Sequence, residues 1–150
     1  MRVRSETVNK PQSLRAALNK SVAYVRENPD KLHIFVDDGS MVSTMASSLS
    51  WEYRYTLNVI VTDFSGDQNL LMAAVMAWVR DNQPDILTNP DMRGNGFTFE
   101  AVILRNDICD ISMDLRLTER VLAIQNGDTV TVEAILEPDD PEDCGEYWLR

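Results

Sequence analysis

The chain has 150 residues, 44% of them apolar, and its 24 acidic against 14 basic residues give a net charge of −10. That length makes one ordinary domain, and the composition is neither that of a disordered chain nor that of a fibre. So large an excess of acid excludes a protein whose main task is to coat phosphates, because counterion release needs clustered Lys and Arg.

In chain order, residues 1–9 read as a flexible polar leader, residues 10–136 as a single domain and residues 137–150 as an acidic tail. The tail holds six acids against one base, a net −5, so the rest of the chain also carries −5. No apolar run follows the charged start, so no secretory signal is expected. The longest apolar run, residues 70–79, is about half of what a bilayer crossing needs, so no membrane partner is expected. Cys109 and Cys144 fit reduced thiols in a cytoplasm better than a disulfide, and a single histidine, His33, excludes a zinc site of the usual spacing.

Pro11 opens a helical pattern in which Leu14, Ala17, Leu18, Val22 and Val25 recur at three and four residues, ending at Asn28 before Pro29. Residues 32–36 form a strand and Asp37-Asp38-Gly39 a turn. Residues 40–50 are weakly patterned and read as an exposed edge strand or a hairpin arm. Trp51, Tyr53, Tyr55, Leu57, Val59 and Val61 then alternate with polar residues, which predicts a long strand with its aromatics on the core side. A second helix, capped by Ser65 or Asp67, runs to about Asp81. Its residues 70–79 are apolar all round, whereas a surface helix shows a stripe. Either it is sandwiched inside one core, or its small face of Leu70, Ala73, Ala74 and Ala77 meets a neighbouring subunit. Residues 83–96 are irregular. Phe97, Phe99, Ala101 and Ile103 alternate as a strand, as do Cys109, Ile111, Met113, Leu115 and Leu117. Asn126-Gly127-Asp128 joins a final hairpin of residues 121–125 and 129–136. Helix, strands, helix, strands without βαβ alternation predicts an α+β fold, a mostly antiparallel sheet with two main helices packed on one face.

Catalytic chemistry is hard to find. Ser40, His33 and Asp37 supply the group types of a triad, but no Gly-x-Ser-x-Gly elbow exists and His33 reads as satisfied or solvent-facing. Asp107, Asp110 and Asp114 form a carboxylate cluster that would suit a divalent cation, yet Asp110 and Asp114 sit where an amphipathic strand is polar anyway. No glycine pattern makes a phosphate cradle, and no basic groove flanks the aromatics, so neither a cofactor nor direct sequence-specific nucleic-acid binding is expected.

Several ordered strings carry more. Lys10-Pro11-Gln12-Ser13-Leu14-Arg15-Ala16-Ala17-Leu18 and Asn28-Pro29-Asp30-Lys31-Leu32-His33 resemble the start of the tail completion protein R family of contractile-tailed temperate phages. So do residues 35–39 and, above all, Trp51-Glu52-Tyr53-Arg54-Tyr55-Thr56-Leu57-Asn58-Val59-Ile60-Val61-Thr62-Asp63-Phe64. Trp78-Val79-Arg80, Gln83-Pro84-Asp85-Ile86-Leu87-Thr88-Asn89-Pro90-Asp91 and Leu117-Thr118-Glu119-Arg120-Val121 continue the likeness in the same order. The resemblance implies a tail-terminator-like fold and a structural, non-enzymatic protein made in the host cytoplasm. Such a protein finishes the head-proximal end of a tail so that it can accept a head. It also implies self-association into a ring, sixfold by preference, and docking to tail tube, sheath or neck proteins, with no cofactor. A ring needs two unlike surfaces on each subunit. The candidates are Met41, Val42, Met45 and Arg54 around the arm, and Leu70, Ala73, Ala74 and Ala77 on the apolar helix. If the ring lines a passage for DNA, its acidity would repel the backbone. Two other readings stay open at this point: a small metal-dependent enzyme using the aspartate cluster, and an acidic DNA mimic.

Overall fold

A computed structural model describes residues 9–43 and 49–135 of the chain. Helix α1 (Lys10–Ser21) is capped by Asn9, whose side chain accepts from the N–H of Gln12. The helix expected to run on to Asn28 stops at Val22, whose backbone is extended, and restarts as α2 (Ala23–Glu27). The break is held by Arg26, whose guanidinium donates to the carbonyls of Asn19 and Lys20 that the end of α1 leaves open.

Strand β1 (Leu32–Ser43) follows a 3-10 turn at Pro29–Lys31. The turn expected at Asp37-Asp38-Gly39 is instead a bulge within this strand. Pairing with β2 (Trp51–Phe64) shifts between Asp37 and Ser40, and Asp38 takes a φ of +53°. Asp tolerates the left-handed region, so the chain absorbs an extra residue there without reversing. Helix α3 (Gln68–Asn82) starts from an Asp67 cap and is followed by a short α4 (Asp85–Thr88) inside the segment expected to be irregular. Strand β3 (Phe97–Arg105) leads to β4 (Ile108–Asn126), which is one unbroken strand of 19 residues where two were expected. A tight turn at Gly127-Asp128, with Gly127 at a φ of +63°, returns the chain as β5 (Thr129–Ile135).

The sheet is antiparallel throughout, ordered β1-β2-β4-β3, with β5 paired to β4 beyond the end of β3. This is the expected α+β class. Helices α1 and α3 share one face, where Trp78 Nε1 donates to Ser13 Oγ at 3.0 Å. Leu14 and Leu18 of α1 and Leu71, Val75 and Val79 of α3 bury against Leu57, Val59 and Val61 of β2 and Ile111, Met113 and Leu115 of β4. The strand alternation read from sequence sets these two rows: Leu57 stands opposite Leu115, Val59 opposite Met113 and Val61 opposite Ile111.

One junction locks helices to sheet. The last pair of β3 with β4 is Phe97 with Leu115, and β5 begins at Arg120 with Ile135, so between them β4 keeps β2 on one side and lacks a strand neighbour on the other. Arg116 N–H donates to the carbonyl of Gly96 at 2.9 Å, and Gly96 itself sits so tightly in its turn that a Cβ there would meet the Met92 carbonyl oxygen at 2.9 Å. Thr118 N–H donates to Gln83 Oε1 at 3.0 Å, and Thr118 C=O accepts from Lys10 Nζ at 2.5 Å. Lys10 also donates to Gln83 Oε1 at 2.6 Å, while Gln83 Nε2 reaches Asp85 Oδ1 and Thr118 Oγ1. Gln83 is 1% exposed and Lys10 7%. A buried polar group that loses its partner costs about 1–3 kcal/mol, and more when a charge is involved. Gln83→Ala removes one acceptor of Lys10 and the acceptor of the Thr118 N–H together, so it is expected to lower stability by about 3 kcal/mol in urea unfolding. Gln125→Ala on the exposed end of β4 is expected to stay within about 0.5 kcal/mol.

Candidate assembly surfaces

The helices cover only part of the sheet. Past Tyr55 on β2 and Leu117 on β4, the ends of β1 and β2, the distal part of β4 and all of β5 project as an arm. On the helix side of the sheet the arm carries Met41, Tyr53, Val130 and Val132, all exposed, with Met41 at 60%. On the opposite side it exposes Val42, Ile124 and Ile135. Trp51 and Tyr53 meet edge to face at a centroid distance of 5.9 Å. The Trp51 indole N–H is buried and has no acceptor among the described residues. Further out the arm is tied across strands: Leu49 N–H donates to Ala123 C=O at 3.1 Å and Ala123 N–H to Ser50 Oγ at 3.3 Å.

Sequence alternation places Trp51, Tyr53 and Tyr55 on the core side, and register agrees, but burial stops at Tyr55. Tyr53 is exposed and Trp51 half-buried because no helix lies above them. Arg54, on the polar side of β2, stands exposed and donates to Glu52 Oε1 at 2.7 Å. Met45, the remaining arm candidate, lies outside the described residues.

Helix α3 provides the second surface. Leu71, Val75, Trp78 and Val79 face the core, so the sandwiched reading does not hold on every side. Leu70 is 66% exposed, Ala73 and Ala77 are exposed, and Ala74 is half-buried against the core. Met76, which the small-face reading left out, extends the exposed stripe. The structure thus leaves an apolar helix stripe of small residues and an apolar sheet arm of bulky ones, each without cover among the described residues.

A model of the P2 phage tail completion protein R (GpR) family matches residues 8–138. Tail completion protein R of Escherichia phage P2 is 53% identical over 133 residues, covering 89% of this chain and 86% of that protein. The chain belongs to the P2 phage tail completion protein R family. No solved structure matches it. The family is one of structural tail morphogenesis proteins, and nothing in either match supports a metal-dependent enzyme or a DNA mimic.

The other sequence candidates take ordinary places in this family member. His33 is exposed on β1, opposite Ile60. Asp110 and Asp114 stand four residues apart on β4, about 13 Å along a strand, and each has a local task. Asp110 accepts from the N–H of Asp63, which holds a φ of +52°, and Asp114 accepts from Asn58 Nδ2 at 2.7 Å. Among the described residues no three His, Cys, Asp or Glu side chains converge as a metal site would require. No described helix is long and apolar enough to cross a membrane.

Three groups near the sheet ends shift in one direction. Burial, followed by the Glu119 hydrogen bond and charge, pushes the Tyr55 phenol far up; its hydroxyl donates to Glu119 Oε2 at 2.5 Å. Burial likewise raises Tyr24, which donates to the carbonyls of Thr62 and Asp63. The Asp63 hydrogen bond and charge raise Lys31, at a distance of 3.1 Å. A folded-state value above the unfolded one contributes stability that is fully present below the unfolded pKa and is lost as pH rises through the folded one. The tyrosines start from 10.0, so the urea midpoint is expected to fall as pH rises past 10, and Tyr55→Phe is expected to remove the Tyr55 share of that fall.

Proposed function

We propose that this chain completes the head-proximal end of a contractile phage tail and prepares it for head joining, and that it does so by self-association and docking rather than by catalysis. The observation that carries the reading is the family match across residues 8–138, with the phage P2 tail completion protein R at 53% identity. In this reading the protein assembles in the host cytoplasm and stays in the virion at the head-proximal end of the tail. Copies form a ring, sixfold by preference, seated on tube, sheath or neck proteins.

The two uncovered apolar surfaces support the ring. A closed ring with head-to-tail contacts buries a different patch on each side of one subunit. Here the stripe of Leu70, Ala73, Ala74 and Ala77 offers small side chains that let a partner approach closely. The arm around Met41, Val42 and Arg54 offers bulky ones, all of them exposed. Tails made without the protein are expected, by electron microscopy, to accumulate with unfinished head-proximal ends and no heads. Leu70→Asp and Met41→Asp change exposed positions, so each variant should fold normally and reproduce that defect. Normal head-bearing particles with either variant would rule out its patch. Normal particles in the absence of the protein would rule out the role.

A further inference from the structure

Strand β3 pairs with β4 along one side, and its other side meets no strand among the described residues. All of its residues from 98 to 105 are exposed, among them Phe99, Val102, Leu104 and, at 78%, Ile103. These side chains lie on both faces of the sheet. Phe99 and Ile103 stand on the helix side, opposite Met113 and Cys109, and Val102 on the other, opposite Asp110. A partner resting on one face would leave half of them in water. A strand laid along the edge covers both faces and takes up the backbone N–H and C=O groups that point away from β4. The usual protections of an open edge are thin here. The strand has no proline, its only charges are Glu100 and Arg105, and its bulge comes at the far end, between Ile103 and Arg105.

We propose that β3 is a strand-addition edge whose occupant is β3 of a second copy of this chain, running antiparallel about a local two-fold axis. The charge pattern selects that occupant. Glu100 stands opposite Ser112, and Arg105, after the bulge, opposite Ile108, so both lie on the polar side of the sheet. An antiparallel copy brings the Arg105 end of each strand toward the Glu100 half of the other. A parallel copy in register would set acid on acid and base on base, which costs stability in directly opposed pairs. Near the axis the small Ala101 faces its own equivalent, and Phe99 of each copy packs beside Ile103 of the other on the helix side. Such a contact is isologous, one patch used twice. It uses neither the arm nor the α3 stripe, so it stands or falls apart from the ring.

Light scattering across concentration tests it, together with single cysteines placed in turn at residues 99–103 in a Cys109→Ser, Cys144→Ser background. The expected mass rises with concentration to that of two chains. Ile103→Lys should hold the protein at one chain while leaving its thermal unfolding as in the parent. One position of the cysteine scan should meet its own copy and give a covalent dimer. A mass of one chain at every concentration would overturn the proposal, as would an Ile103→Lys variant that still dimerises or a scan with no self-linked position. Growth past two chains, with linkage only between cysteines placed in β1 and β3, would assign the edge to a head-to-tail neighbour and overturn it equally.

Discussion

On the side of β4 turned away from β2, Thr118 has no strand beside it, and both its N–H and its C=O must nevertheless be bonded inside the protein. Gln83 Oε1 takes the N–H and Lys10 Nζ donates to the C=O, so two side chains act as the missing strand. Lys10 is the first residue of α1 and Gln83 caps the end of α3, which brings the ends of both helices to one point of β4. A backbone requirement thereby fixes where the helix layer sits. Because Lys10 is buried, it needs every one of its acceptors, and the junction tolerates little displacement. What lies on the far side of this point, the arm, is what the helices cannot cover.

Much of this was readable from residue order. The alternation of Tyr55, Leu57, Val59 and Val61 names the face of β2 that the helices cover, and Asn126-Gly127-Asp128 marks the turn into β5. The strings shared with the tail completion proteins carried the family, and with it the function. Other features depend on partners distant in sequence. Alternation says which side of a strand is apolar but not whether anything lies over it, so Tyr53 reads as core while standing in water, and the alternating Phe99 and Ile103 give no sign that they stand exposed. The Thr118-Glu119-Arg120 interruption reads as the end of one strand and the start of another. It is in fact where β4, still paired with β2, has Gln83 and Lys10 in place of a strand on its other side. A single glutamine before a proline gives no sign of a contact 35 residues away.

The two exposed apolar surfaces proposed for assembly were partly legible for the same reason. Leu70, Ala73 and Ala77 stand out because a helix apolar on all sides has more greasy surface than one core consumes. Met76 was missed because nothing in the spacing separates it from Met72, which is half-buried against the core. Asp38 illustrates the opposite case. Asp-Asp-Gly is turn chemistry, and the left-handed residue is present, but pairing on both sides of it turns the feature into a bulge that carries β1 onward into the arm.

The length of β4 has a mechanical meaning. Its residues 111–117 are a wall of the core and its residues 120–126 are the spine of the arm, with no hinge between them. In a strand the side chains alternate strictly, so the arm cannot slide along its axis by one residue without turning the core wall inside out. The arm is therefore held at a fixed angle and height relative to the helices. Strain imposed on it by a neighbour passes directly into the packing around Leu115 and Leu117. In the assembly proposed above, core integrity and the readiness to assemble become one property, and a lesion deep in the core would present itself as a failure of particle construction.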